Sequence, residues 1–177
     1  MSLLRGVNLG ARNKVNMPRL REALTEAGFA EVRTLVQSGN VIARSSHRSA
    51  DRVAADVREV IMAGFGLDIP VIVRTPRQLR AILDWCPFPA QSAREPKLVH
   101  VVHLLREPDP KAVRELLDLE VDPDGIAARG KEIVLSYATS MHASRLPRLR
   151  PLAKLTKDGT ARNWRTLTAL VEMTAEG

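Results

Sequence analysis

The chain has 177 residues, 45% of them hydrophobic and 27% charged, with a net charge of +7 and one cysteine. That content supports a sizeable core and argues against disorder or a disulfide framework. No apolar run is long enough to span a membrane and no secretory signal opens the chain, so a cytoplasmic protein is expected. The basic excess suits an anionic partner, either a phosphorylated metabolite or nucleic acid, although a GC-rich coding bias toward arginine gives the same balance.

Leu3-Leu4-Arg5 reads as the end of a strand, followed by a loop from Gly6 to Lys14. Asn16 caps a helix with Pro18 in its first turn; Leu20, Leu24 and Ala27 line its buried face, and Gly28 stops it. Residues 33–44 then read as a tight hairpin. Pairing Val36 with Val41 and Leu35 with Ile42 sets apolar beside apolar and leaves Ser38-Gly39 as a two-residue loop. A Gly39-Asn40 loop would supply a type II′ turn, but it sets Leu35 against Arg44 and Gln37 against Ile42. The first register is preferred. A second helix over residues 49–63 places Val53, Val57, Val60 and Ile61 at helical spacing, Gly64 and Gly66 end it, and residues 69–74 form a strand. The order β-α-β-β-α-β is the split βαβ, or ferredoxin-like, unit.

Thr75-Pro76 opens a helix through Leu79, Ile82, Leu83 and Trp85. Pro87, Pro89 and Pro96 mark a linker over 87–96, between a first half at 1–86 and a second at 97–177. The second half begins with a strand over 97–105 and a helix capped by Asp109 and carrying Val113, Leu116 and Leu117. Residues 126–129 and 132–137 form another hairpin around Gly130-Lys131, and helical segments follow. Thr160 is read as the N-cap of the last helix, whose Trp164, Leu167, Leu170, Val171 and Thr174 form a packing stripe. The expected fold is α+β, two ferredoxin-like halves, the second with a terminal helix in place of its last strand.

Topology then locates a site. In a split βαβ unit the loop after strand one and the tip of the hairpin leave the same end of the sheet. Asn8, Asn13 and Lys14 should therefore lie near Gln37, Ser38 and Asn40, with Arg5 at the strand's exit. Amides, cations and glycines together suit a phosphate or carboxylate. Arg5, Arg12, Lys14, Arg19 and Arg21 have no acid among them. Arg162 and Asn163, at the positive end of the last helix, are a further candidate anion contact. The competing reading gives the glycines to the turns and the amides to the loop backbone. On the binding reading, Lys14→Ala and Asn40→Ala leave the melting temperature unchanged and remove ligand binding, whereas Gly39→Val destabilises.

Catalytic signatures are thin. His100 and His103 lie three apart in a strand and face opposite sides, Cys86 reads as a packed thiol, and Asp118, Glu120, Asp122 and Asp124 read as a helix end and turn. No metal site, cofactor or catalytic residue follows. Six aromatic residues give poor support to base stacking. Two other functional classes stand beside anion binding: a cofactor-independent enzyme using the same polar cluster, and a protein–protein module joining through exposed strand edges.

Leu4-Arg-Gly-Val-Asn-Leu-Gly10, Asn13-Lys14, Met17, Gln37-Ser-Gly-Asn40, Pro87-Phe88 and Thr160-Ala-Arg-Asn-Trp-Arg-Thr166 occur in one order along the chain. In that order the chain resembles the bacterial "domain of unknown function 1697" family over nearly its whole length. The resemblance implies a cytoplasmic α+β protein of two related ferredoxin-like halves and carries no activity, cofactor or catalytic residue. The family usually has several residues before its Leu-Arg-Gly motif, whereas Met1-Ser2-Leu3 alone precede Leu4 here, as a late-assigned start or a local adaptation would produce. Ser140-Met-His-Ala-Ser-Arg-Leu146 keeps a Ser-Arg-Leu version of a family stretch but lacks its glycines.

Overall fold

The computed structural model describes residues 1–10 and 13–175. Their contacts divide into two compact units, whose main bodies are Met1–Leu79 and Arg80–Met173.

In the first unit the elements are β1 (Ser2–Leu4), α1 (Met17–Glu26), β2 (Ala30–Leu35), β3 (Asn40–Arg44), α2 (Ala50–Phe65) and β4 (Val71–Val73). The sheet order is β2-β3-β1-β4 and its three strand pairings are antiparallel. This is the expected ferredoxin-like arrangement. α1 starts where Asn16 accepts a hydrogen bond from the Arg19 amide at 2.9 Å, and Met17, Leu20 and Leu24 face the core. α2 runs to Phe65, past Gly64, and ends at Gly66, which is left-handed at φ +64°. Val57 and Ile61 from α2 join Leu4, Val7, Leu20, Leu24 and Val41 in one buried cluster.

The first hairpin differs from the expected register. Leu35 pairs with Asn40, Thr34 with Val41 and Arg33 with Ile42, so the loop has four residues, 36–39. Pairing apolar side chains across two strands left out a third. β3 is central and also pairs with β1, Ser2 against Val41 and Leu3 against Asn40, so both neighbours set its register.

Helices α3 (Pro76–Trp85) and α4 (Pro89–Arg94) lead to the second sheet. The segment 87–96 contains α4 and packs within the second unit. The Gln91 side chain donates to the Tyr137 carbonyl, and Phe88 lies where a Cβ on Gly125 would stand. β5 (Val99–His103), α5 (Pro110–Leu117), β6 (Gly125–Arg129), β7 (Glu132–Ser136), α6 (Arg150–Thr156), β8 (Thr160–Asn163) and α7 (Trp164–Ala175) complete the chain. The order β6-β7-β5-β8 repeats that of the first sheet.

The terminal helix is present, but it follows the last strand and does not replace it. Thr160–Asn163 pairs antiparallel with β5, from His103 against Thr160 to His100 against Asn163. Thr160 is therefore a strand residue, not the N-cap. Asn163 caps α7, its Oδ1 accepting from the Thr166 amide at 2.9 Å. A four-residue strand running straight into a helix, with no glycine or proline between them, leaves little periodicity to mark the boundary. Among the described residues no helix is long and apolar enough to cross a membrane.

Candidate functional site

The rim of the first sheet is assembled by backbone conformations that few residues tolerate. Gly6, Asn8, Gly10 and Asn13 all have φ between +49° and +65°, and the facing tip has Val36 at +50° and Gly39 at +73°. Asparagine and glycine are the residue types that enter this region most readily, so the loop is written in its sequence. The Asn8 amide donates to the Asn13 carbonyl at 3.0 Å, and Asn13 Nδ2 donates back to the Gly6 carbonyl at 3.1 Å. The loop is thus closed on itself beside Arg5.

Asn8 ties this loop to the hairpin. Its Oδ1 accepts from the Val15 amide at 2.9 Å, while its Nδ2 donates to the Val15 carbonyl at 2.9 Å and to the Gln37 carbonyl at 2.7 Å. The tip is fastened from below as well, since the Leu4 amide donates to the Gly39 carbonyl at 2.8 Å. A Cβ on Gly39 would stand 2.4 Å from Val7 Cγ2 and 2.7 Å from Leu4 Cβ. Glycine is required there by space and by conformation alike.

The loop and the tip therefore meet through Asn8 and Gln37, and the roles of their residues divide. Asn40 is completely buried, with Nδ2 donating to the Leu35 carbonyl and to Ser38 Oγ at 3.0 and 3.1 Å. It holds the tip from within and presents nothing to solvent. The expectation that Asn40→Ala spares the melting temperature is corrected by that burial. Asn8 and Asn13 likewise spend their side chains on loop backbone. Lys14 and Gln37 are exposed and Arg5 is half-buried. Among the described residues, the side chains of these three make no hydrogen bond or ion pair. Arg12 lies outside the described residues.

Arg162 and Asn163 belong to the second unit and are built into it. Arg162 is buried in β8, with Nη1 donating to Thr160 Oγ1 and to the Ala161 carbonyl, both at 2.8 Å; burial lowers its pKa to about 10. Its guanidinium is buried against the backbone of its own strand, and Asn163 is occupied as the cap of α7.

Sequence reasoning missed three features. Leu9 and Val36, both at the rim beside Asn8 and Gln37, expose 68% and 58% of their surface. Within the first unit a cleft of about 430 Å³ is lined by Ser45, Ser46, His47, Arg52, Asp56 and Glu59, among others. There Asp56 lies 3.0 Å from Arg52 Nε and 3.6 Å from His47 Nε2. The Arg52/Asp56 spacing of four was the available signal. In the second unit a cleft of about 700 Å³ is bounded by Leu105, Arg106, Glu107, Lys154, Lys157 and Asp158, with both signs of charge represented.

Other candidates resolve into structure. His100 and His103 occupy positions of opposite parity in β5. Cys86 Sγ lies 3.1 Å from Ser92 Oγ. Asp124 accepts from the Ala138 amide and the Ser144 hydroxyl. Among the described residues no group of three histidine, cysteine or acidic side chains is placed to hold a metal.

A family model described as "Protein of unknown function (DUF1697)" matches residues 1–133. No curated protein matches. A solved structure, that of the conserved bacterial protein SP0830 from Streptococcus pneumoniae, is similar over 97% of this chain and 96% of its own. The TM-score is 0.73 and the identity 20%, a likeness of fold.

Proposed function

From a chain that belongs to the DUF1697 family of proteins of unknown function, and from its rim geometry, we propose a cytoplasmic binding protein for a small anion such as a phosphorylated metabolite. The site is the rim between the loop after β1 and the first hairpin tip. One observation carries the reading. Arg5 and Lys14 border the loop that Asn8 and Asn13 brace, Gln37 lies at the hairpin tip tied to it, and among the described residues the side chains of these three have no internal partner. A hydrogen-bonded loop bordered by two such cations among the described residues is a low-cost receptor for a phosphoryl or carboxylate group.

The same inventory favours a metabolite over nucleic acid. The two rim cations among the described residues neutralise one or two phosphates, whereas a nucleic-acid groove engages many and interleaves aromatic side chains. Arg5, Asn8, Asn13, Lys14, Gln37 and Ser38 form the proposed site, with Asn40 supporting it from inside.

A thermal-shift panel of sugar phosphates and carboxylates, repeated at two salt concentrations beside short DNA and RNA, tests the proposal. A saturable shift with a modest salt dependence is expected, weakened about tenfold or more by Lys14→Ala through loss of a charge-assisted contact. A signal confined to the oligonucleotides, collapsing steeply with salt, would point to nucleic acid. No signal from any anion would remove the proposal.

A further inference from the structure

Leu9 and Val36 flank the bridge from Asn8 Nδ2 to the Gln37 carbonyl: Leu9 directly follows Asn8, and Val36 directly precedes Gln37. No other large apolar side chain among the described residues is as exposed as these two. Val36 also holds φ at +50°, a region that β-branched residues resist. Asparagine or glycine would sit at that position without strain. The fold instead keeps a strained valine whose side chain contributes little to the core. Strain retained beside a polar, cationic rim is what a binding surface produces when the side chain is needed by something outside the fold.

Resting on the anion reading above, we propose that the ligand is a small organic anion with an aliphatic or ring body. Its charged group meets Arg5 and Lys14, and its apolar part is covered by Leu9 and Val36. Charge complementarity selects this occupant over a second copy of the chain. A two-fold contact through the same patch would bring Arg5 and Lys14 of both copies toward one another.

Isothermal titration calorimetry of the full chain with inorganic phosphate and with n-butyl phosphate tests the inference. Each seated methylene is worth about fourfold in affinity, so n-butyl phosphate should bind about tenfold or more tightly than inorganic phosphate. Leu9→Ser and Val36→Asn should each shrink that difference while leaving inorganic phosphate affinity intact. Val36→Asn should melt no lower than the parent chain, because asparagine tolerates the left-handed region, and so the loss is not unfolding. Equal affinities for the two probes would overturn this inference and leave the anion reading standing. Binding of neither would overturn both. Concentration-dependent self-association abolished by Leu9→Ser would assign the patch to a second copy and overturn the inference as well.

Discussion

Gly39 and Asn40 are adjacent in sequence and decide the rim in different ways. Gly39 combines φ +73° with a missing Cβ that would press into Val7 and Leu4. Gly39→Ala should therefore cost about 2–4 kcal/mol in urea unfolding, part from the left-handed backbone and part from overpacking. Asn40→Ala removes a buried donor that serves the Leu35 carbonyl and the Ser38 hydroxyl, and should cost about 1–3 kcal/mol. Lys14→Ala should change stability by less than about 0.5 kcal/mol, since the side chain is exposed. A midpoint for Asn40→Ala equal to that of Lys14→Ala would contradict the division between support and contact residues. Residue type made the loop legible from sequence, because glycine and asparagine at 6, 8, 10 and 13 match the left-handed positions. It could not show that Asn40 turns inward, where its amide serves the Leu35 carbonyl and the Ser38 hydroxyl across a four-residue tip.

At the scale of elements, the two hairpins show when local pairing suffices. The second was expected around Gly130-Lys131 and closes there, with Arg129 opposite Glu132 and Gly130 at φ +56°. In the first, a glycine at the tip is pinned onto the neighbouring strand, and the ladder ends two residues earlier on β2. The missed strand β8 belongs to the same lesson, since its pairing with β5 joins residues some sixty positions apart. Asn163→Ala should destabilise by about 1 kcal/mol through loss of the α7 cap, measured by chemical denaturation. Thr160→Ala is not expected to act as a cap deletion.

The same sheet gives a pH dependence. Burial holds the His100 imidazole below its ordinary value of 6.5, with its ring edge-on to Tyr137 at 5.2 Å. The unfolded chain therefore takes up a proton there before the folded one does. This contribution to stability is present above pH 6.5 and is lost as pH falls through that value toward the lowered one. Melting temperature should drop between about pH 7 and 5, and His100→Phe, which keeps the ring contact, should flatten that drop.

Across the whole molecule, the two units repeat details as well as topology. The Leu4 amide donates to the Gly39 carbonyl and the Leu104 amide to the Lys131 carbonyl, each at 2.8 Å, so each first strand is strapped by its hairpin tip. Arg74 follows β4 and Arg162 lies in β8, both buried, and each donates from Nη1 to the preceding carbonyl. The tips nonetheless differ, four residues against two, and so do the loops after the first strands. Among the described residues the left-handed glycine–asparagine loop occurs in the first unit and not in the second. The proposed binding role therefore falls on the feature that the duplication does not share.

Backbone amide chemical shifts followed by NMR during titration with inorganic phosphate test that assignment most directly. Saturable shifts should cluster at Gly6, Asn8, Gly10, Lys14, Gln37 and Ser38, and in Lys14→Ala should need about tenfold more phosphate or higher to reach the same extent. Saturable shifts centred on the cleft at His47 and Asp56, or none at any phosphate concentration, would contradict it.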